Sequence, residues 1–67
     1  MEIRYPNIEV QLVGENGNAF MLIGLTNKAL KKNGVPQAEI TEFTERCFAA
    51  KSYDDLLNVI QETVVVN

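Results

Sequence analysis

The feature that most constrains this fold is a junction near the N-terminus, where an alternating pattern gives way to an unbroken apolar run. Residues 8–12 alternate apolar and polar side chains, which is typical of a strand with one buried face. Residues 15–18 are all polar or glycine, and residues 19–25 are all apolar or glycine. The pattern predicts a strand over residues 8–14 and a change of secondary structure at residues 15–18.

Two interpretations of residues 19–25 are open. The pair Asn16-Gly17 between two apolar runs is typical of a β-hairpin, whose type I′ turn needs positive φ at both central positions, and it would make residues 19–25 a second strand. Composition favours a helix instead, because these residues include a single β-branched side chain and helix-forming residues continue to Lys32. Asn18 would cap that helix. We expect the helix and keep the hairpin as the alternative.

Local start and stop signals divide the rest of the chain. Gly34 is suited to the left-handed position that ends a helix, and Pro36 follows it. A second helix is predicted from Pro36 to about Ala50, and Ser52 with the two aspartates that follow is predicted to cap a third. The β-branched residues near the C-terminal end favour a short strand over residues 63–66.

The sequence therefore predicts an α+β fold in a single domain, residues 1–67, with the order strand, helix, helix, helix, short strand and a two-stranded sheet packed on the helices. Helical spacing assigns a buried face to each helix. The predicted core residues are Phe20, Leu22, Ile23, Thr26, Ala29, Leu30, Ile40, Phe43, Cys47, Phe48, Tyr53, Leu56, Leu57 and Ile60. Such a core is small, since a chain of 67 residues buries only about 60% of the surface that its unfolded form exposes.

Charge and composition indicate the compartment of the protein and the types of partner that it is expected to have. The formal net charge is −3, from nine acidic against six basic residues, which disfavours binding that depends on neutralising phosphates. A single cysteine cannot form an internal disulfide and favours a reducing compartment. Residues 1–6 lack the apolar stretch of a signal peptide, and no apolar stretch approaches the about 20 residues that a membrane span needs. We expect a cytoplasmic protein with no membrane partner, and we do not expect nucleic acid to be its partner.

No set of residues predicts catalysis. The sequence has no histidine, so Ser–His and Cys–His nucleophilic pairs and histidine metal ligands are missing from the chain. Cys47 lies on the apolar side of its helix and is interpreted as a buried structural thiol. Ser52 is interpreted as a helix cap. The prediction is a non-enzymatic protein with no catalytic residue, no metal site and no cofactor.

One loop has a physical case for ligand binding. Gly14, Asn16, Gly17 and Asn18 could bring backbone N–H groups close to an anion at the start of the following helix. The loop matches neither the phosphate-binding loop that ends in Gly-Lys-Ser/Thr nor the dinucleotide fingerprint, and Glu15 would repel a phosphate. Binding of a small anionic ligand, a nucleotide or a phosphate, is therefore the alternative function, and a plain structural turn is favoured.

Two lesser alternatives concern charged partners. The order of strand, helix, glycine turn and helix is similar to that of ribbon-helix-helix repressors, whose paired strands enter the DNA major groove. The outward strand residues here would be Glu9 and Gln11, neither of which is basic. Lys28, Lys31 and Lys32 lie together near the end of the first helix, where cations complement the helix dipole. DNA binding and a basic docking patch are both kept as alternatives.

Residues 5–12, together with residues 17–20 and the pair Ala29-Leu30, resemble a family of small proteins of bacteria and their phages. The resemblance covers about the first half of the chain, and that family has no assigned activity. It implies a free-standing intracellular product, such as a phage or host accessory protein, and it transfers no functional residue.

The leading expectation is therefore an interaction module that acts by binding a protein partner whose identity the sequence does not reveal. A homodimer is also expected, because two short strands leave open sheet edges and an isolated two-stranded sheet is marginal in water. Val64, Val65 and Val66 are the candidate interface, since pairing across a two-fold axis would cover them.

Overall fold

The computed structural model describes residues 2–11 and 19–66. Within these residues the chain forms two strands and three helices. In chain order they are β1 (Tyr5–Val10), α1 (Ala19–Lys32), α2 (Gln37–Phe48), α3 (Tyr53–Thr63) and β2 (Val64–Val66). The two strands form one sheet that packs on the helices, which confirms the predicted α+β fold and its order of elements.

β1 and β2 are parallel neighbours although they come from opposite ends of the chain. Parallel strands need a crossover connection, and the three helices lie within it. The register pairs Tyr5 with Val64 and Val10 with Val66, with an irregularity between Tyr5 and Glu9. Because β2 follows α3 directly, this pairing places β1 next to the C-terminal end of α3.

The predicted boundaries of the first strand need correction. β1 begins at Tyr5 rather than at residue 8, and it ends at Val10. The residue before a proline prefers extended geometry, and Pro6, which has no N–H to donate, lies in the irregular stretch of the register. Residues 12–14 of the predicted strand lie outside the described residues.

Two boundaries nearer the C-terminal end also differ from the prediction. α2 ends at Phe48 rather than at Ala50, and Thr63, predicted to open the last strand, is the final residue of α3. The Thr63 hydroxyl donates to the Val59 carbonyl at 2.8 Å. This bond to the residue four positions earlier belongs to helical backbone, so the strand starts one step later, at Val64.

α1 decides between the two interpretations of residues 19–25. They are helical throughout, so the hairpin is wrong and the expected helix is confirmed. Leu22, Thr26 and Leu30 follow one another at four-residue steps and are buried, and the Thr26 hydroxyl donates to the Leu22 carbonyl at 2.9 Å. This line of side chains forms the core face of α1. The predicted cap, Asn18, lies outside the described residues.

Gly34 ends α1 as predicted. Its φ of 80° is the left-handed conformation. Its N–H donates to the Lys31 carbonyl at 3.1 Å, and the Val35 N–H donates to the Leu30 carbonyl at 3.0 Å. In this Schellman arrangement two carbonyls of the last turn, which would otherwise lack a donor, accept bonds from beyond the helix.

Gly24 and Gly34 are expected to respond in opposite directions to alanine. Gly24 lies inside α1, and apart from its chain neighbours and the adjacent helical backbone no described atom lies within 4 Å of a Cβ added there, so Gly24→Ala is expected to raise the free energy of unfolding by about 0.5–1 kcal/mol. Gly34→Ala places a Cβ on left-handed backbone and is expected to lower it by about 1 kcal/mol. Urea unfolding measures both changes, and a common sign for the two variants would contradict this account.

The core lies between the sheet and the three helices. Its buried hydrophobic residues are Ile8, Val10, Leu22, Ile23, Leu30, Ile40, Phe43, Cys47, Leu56, Ile60 and Val64. Most of the predicted helical core is confirmed, but three predicted members, Phe20, Phe48 and Tyr53, are exposed instead. These three aromatic side chains come together on the surface.

Candidate functional site

The exposed side chains of Phe20, Phe48 and Tyr53 form a cluster that we call the aromatic patch. Their exposed fractions are 73%, 62% and 42%. They border a depression with a volume of about 280 Å³. Contiguous exposed apolar surface is limited on monomeric proteins, and larger patches often mark binding sites.

Each aromatic side chain of the patch comes from a different helix. Phe20 is in the first turn of α1, Phe48 is the last residue of α2 and Tyr53 is the first residue of α3. The ring centroids of Phe20 and Phe48 are 6.0 Å apart and their planes are inclined at 51°, which is a favourable geometry for an aromatic pair. Three helix ends therefore build the patch together.

The depression reaches down to the core. Ile23, Cys47 and Leu56 line it, and each is nearly fully buried. Ala19 and Ala50 add further apolar surface to its walls. An apolar side chain that entered this depression would therefore meet mostly hydrocarbon.

Helical geometry explains why the two phenylalanines are exposed, contrary to the prediction. Successive residues are about 100° apart around a helix, so Phe48 points away from the direction of Cys47, which belongs to the buried face of α2. Phe20 is about 160° from Leu22 around α1, but only about 60° from Ile23, which is buried. Both phenylalanines therefore lie at the edges of the buried faces, and the prediction that they belong to the core was wrong.

Tyr53 is exposed for a different reason. Its spacing to Leu56 and Ile60 suits the buried face of α3, but it is the first residue of that helix. The Ser52 Oγ before it accepts a hydrogen bond from the Asp55 N–H at 3.1 Å, which confirms the predicted cap and fixes where α3 begins. The Tyr53 ring therefore lies at the edge of the core rather than inside it.

Charges of both signs lie at or beside the patch, and we refer to the three residues that carry them as its rim. Lys51 lines the depression. Asp54 and Asp55 follow Tyr53 in the first turn of α3; they do not line this depression, and Asp55 lines a separate one together with Arg46. All three charged side chains are exposed. None of them forms an ion pair with another described residue.

Cys47 is buried beneath the patch, as predicted. Burial raises the pKa of its thiol from 9.0 to about 11, and the positive charge of the neighbouring Arg46 opposes this rise only in part. The thiol is therefore protonated at neutral pH, and a protonated thiol is a poor nucleophile.

The predicted ligand-binding loop is not tested by the structure. Gly14, Asn16, Gly17 and Asn18 lie outside the described residues. α1 begins at Ala19 and has no acidic residue in its first turn, so its own side chains do not oppose an anion there. Anion binding by this loop stays a prediction.

The three C-terminal valines of the predicted interface are not equivalent. Val64 is fully buried in the core, so its side chain has no surface to offer to a partner. Val65 and Val66 are half-buried. The candidate interface at the sheet is therefore narrowed to these two residues.

The lysines of α1 lie near the C-terminal end of that helix, whereas the patch residue Phe20 lies in its first turn. Lys28 and Lys32 line a second, wider depression of about 400 Å³ that also includes Glu9. Lys31 is exposed in the same turn of α1. An acidic residue thus lies beside the basic surface, and the basic docking patch stays a prediction.

Comparison with known proteins gives no match to a family model, a curated protein or a solved structure. Within residues 2–11 and 19–66, no helix is both long and apolar enough to cross a membrane. In the same residues, no group of three or more His, Cys, Asp or Glu side chains is placed to hold a metal ion. The case for function therefore rests on the aromatic patch and its surroundings.

Proposed function

We propose that this chain is an interaction module that binds a partner protein through the aromatic patch and performs no catalysis. The observation that carries the proposal is the exposure of three aromatic side chains, from three helices, around one apolar depression. Burying such side chains is favourable, and the fold of the chain leaves a large part of each of them in water.

Aromatic side chains are suited to this role. They are enriched at the energetic centres of protein interfaces, where truncating one residue often costs about 2 kcal/mol or more of binding free energy. Phe20 and Phe48 contact each other across 6.0 Å between ring centroids, so their rings are restrained before a partner binds and lose less freedom on binding. The depression offers a socket for an apolar side chain of the partner.

The polar groups near the patch favour binding over chemistry. The Cys47 thiol is buried and its pKa is raised to about 11. The Ser52 hydroxyl oxygen accepts the capping bond from Asp55. Because the sequence has no histidine, neither group has the imidazole base that usually activates such nucleophiles.

The setting that we propose is the cytoplasm of a bacterium, where the chain would serve as a phage or host accessory protein. We expect this setting from the resemblance noted for the first half of the chain, which no family model or curated protein matches. The single, buried cysteine also supports it, because reducing compartments keep thiols free. A protein of this size would act there by covering part of a partner's surface.

Phe48→Asp is expected to abolish binding without unfolding the chain. The substitution puts a charge in the centre of the patch, where a bound partner would have to remove it from water, while Phe48 is already largely exposed. The measurement is affinity capture with the tagged protein from cells that express the chain naturally, followed by mass spectrometry. We expect the wild type to retain a protein, an untagged copy of the chain included, that Phe48→Asp retains at least about tenfold less.

Gln61→Glu is the matched control. It adds the same charge at an exposed position of α3 that does not line the depression, and it is expected to retain whatever the wild type retains. Equal retention by Phe48→Asp and the wild type, with both proteins folded by circular dichroism, would contradict binding through the patch. Substrate turnover that disappears in Cys47→Ala or Ser52→Ala would contradict the absence of catalysis.

A further inference from the structure

We infer that the occupant of the aromatic patch is a second copy of this chain, bound across a two-fold axis. The inference rests on the proposed function, because it uses the same surface and names its partner. Three properties favour a second copy: the apolar area of the patch, the charges on its rim and the small core beneath it.

The apolar area fits a small symmetric interface. From their exposed fractions, the three aromatic side chains present about 350 Å² of surface, given about 200 Å² for a whole aromatic side chain. A two-fold pairing buries this area on both copies, about 700 Å² in all. Since interfaces are about 60% apolar, that is the apolar share of an interface of about 1,200 Å², the lower end of the range for specific complexes.

The charges on the rim can complement themselves. Lys51 lines the depression, while Asp54 and Asp55 lie in the first turn of α3. In a two-fold interface each copy meets the same surface on the other, turned by half a rotation. A two-fold pairing can therefore bring the lysine of one copy towards the acidic first turn of α3 in the other, so that charges of opposite sign face each other twice across the axis.

The two arginines of the chain pair with its own carboxylates. The guanidinium of Arg46 lies 2.8 Å from the Glu62 carboxylate, and that of Arg4 lies 3.5 Å from the Glu42 carboxylate. Lys51 and the three lysines of α1 have no such partner among the described residues, but Lys51 differs from the others in lining the patch. A cation that forms no ion pair with residues 2–11 or 19–66, next to an apolar depression and a pair of carboxylates, is suited to pairing between molecules.

Dimerisation would also enlarge a small core. Ile23, Cys47 and Leu56 line the depression and belong to the buried cluster, so side chains of a second copy that enter it would extend the same apolar cluster. A single core in a chain of 67 residues gives little stability, and association of copies is a common way to increase it.

Sedimentation velocity of the purified chain, from about 5 to 500 µM, tests the inference. The wild type is expected to dimerise with a dissociation constant between about 1 and 100 µM, as a small interface implies. Phe48→Asp is expected to raise that constant more than about 30-fold, so that its dimer appears only at correspondingly higher concentration, if at all within this range. Gln61→Glu, which adds the same charge away from the patch, is expected to dimerise like the wild type.

Lys51→Glu tests the arrangement of the rim. A negative charge just before α3 is favourable for that helix, so the variant is expected to fold, but in the dimer it sets carboxylates of the two copies against each other. Its dissociation constant is expected to rise roughly three- to tenfold at low salt, and less at high salt, where the charges are screened. A constant equal to that of the wild type at low salt would contradict the two-fold arrangement.

Val65→Lys distinguishes dimerisation through the patch from dimerisation through the edge of the sheet. Val65 is half-buried on β2 and does not line the depression, so the variant is expected to dimerise. A dimer that Val65→Lys abolishes and Phe48→Asp retains would overturn the inference in favour of pairing through the sheet.

A wild type that is monomeric at every concentration would also overturn the inference of a dimer. The proposed binding of a partner protein through the patch would still stand in that case if affinity capture depended on Phe48. If the wild type were monomeric and capture were insensitive to Phe48→Asp, both the dimer and the proposed function would be contradicted.

Discussion

Phe43→Ala is expected to remove most of the stability of this protein. Phe43 is 2% exposed and lies in the core, and truncating a buried phenylalanine costs about 3–5 kcal/mol, because apolar contacts are lost and a cavity remains. A domain of 67 residues has a free energy of unfolding of about 3–10 kcal/mol in total. We expect the variant to lose its helical circular dichroism at urea concentrations that leave the wild type folded.

Phe48→Ala is the matched control, since it makes the same substitution on the same helix. Phe48 is largely exposed and packs on the ring of Phe20, so the expected loss is below about 1 kcal/mol. Both variants are compared with the wild type at sub-micromolar concentration, because dimerisation would add to the apparent stability. Equal losses for Phe43→Ala and Phe48→Ala would place Phe48 in the core and remove the aromatic patch.

The end of α1 and the start of α3 could be predicted from the sequence because each depends on few neighbouring residues. The left-handed φ of Gly34 is available to glycine whatever packs against it. The cap of α3 joins Ser52 to the N–H of Asp55, three positions along the chain. The centre of each buried face was also predictable, as Leu30 and Ile60 illustrate, since apolar spacing identifies the middle of a face.

The edges of the buried faces could not be predicted in the same way. Phe48 lies one position beyond Cys47, and whether such a flanking side chain is buried depends on the element that packs beside it. In the structure α1 and α2 bring Phe20 and Phe48 together at the surface instead of covering them. Treating one helix at a time therefore misses the candidate site, although its three aromatic residues are all identified as apolar from the sequence.

The pairing of the two strands also depends on tertiary structure. No local signal links Tyr5 to Val64, which are opposite each other in the sheet because three helices fold between them. The same contact explains why Val64 is fully buried and is not available at the predicted interface. The sequence gives no reason to treat the three valines differently, whereas in the structure Val64 is buried in the core and the other two are half-buried.

Raising the pH is expected to destabilise the protein through Cys47. Burial raises the pKa of its thiol to about 11, against 9.0 for an ordinary thiol. Below about pH 9 the folded and the unfolded chain both keep the proton, and the stability that this thiol contributes is fully present. Between the two pKa values the unfolded chain releases the proton while the folded chain holds it, so the free energy of unfolding falls until the folded pKa is passed.

Cys47→Ala isolates this effect, because every other titratable group of the chain is common to the two proteins. Urea unfolding at about pH 8 and about pH 10.5, under reducing conditions, gives the pH-dependent loss for each protein, and the wild type is expected to lose roughly 2 kcal/mol more than Cys47→Ala. An equal loss in the two proteins would mean that water reaches the thiol in the folded state. Because Cys47 lines the depression between Phe20 and Phe48, that result would also place the floor of the depression in contact with water rather than in the core, and the core beneath the proposed interface would then be smaller than the buried cluster of the structure implies.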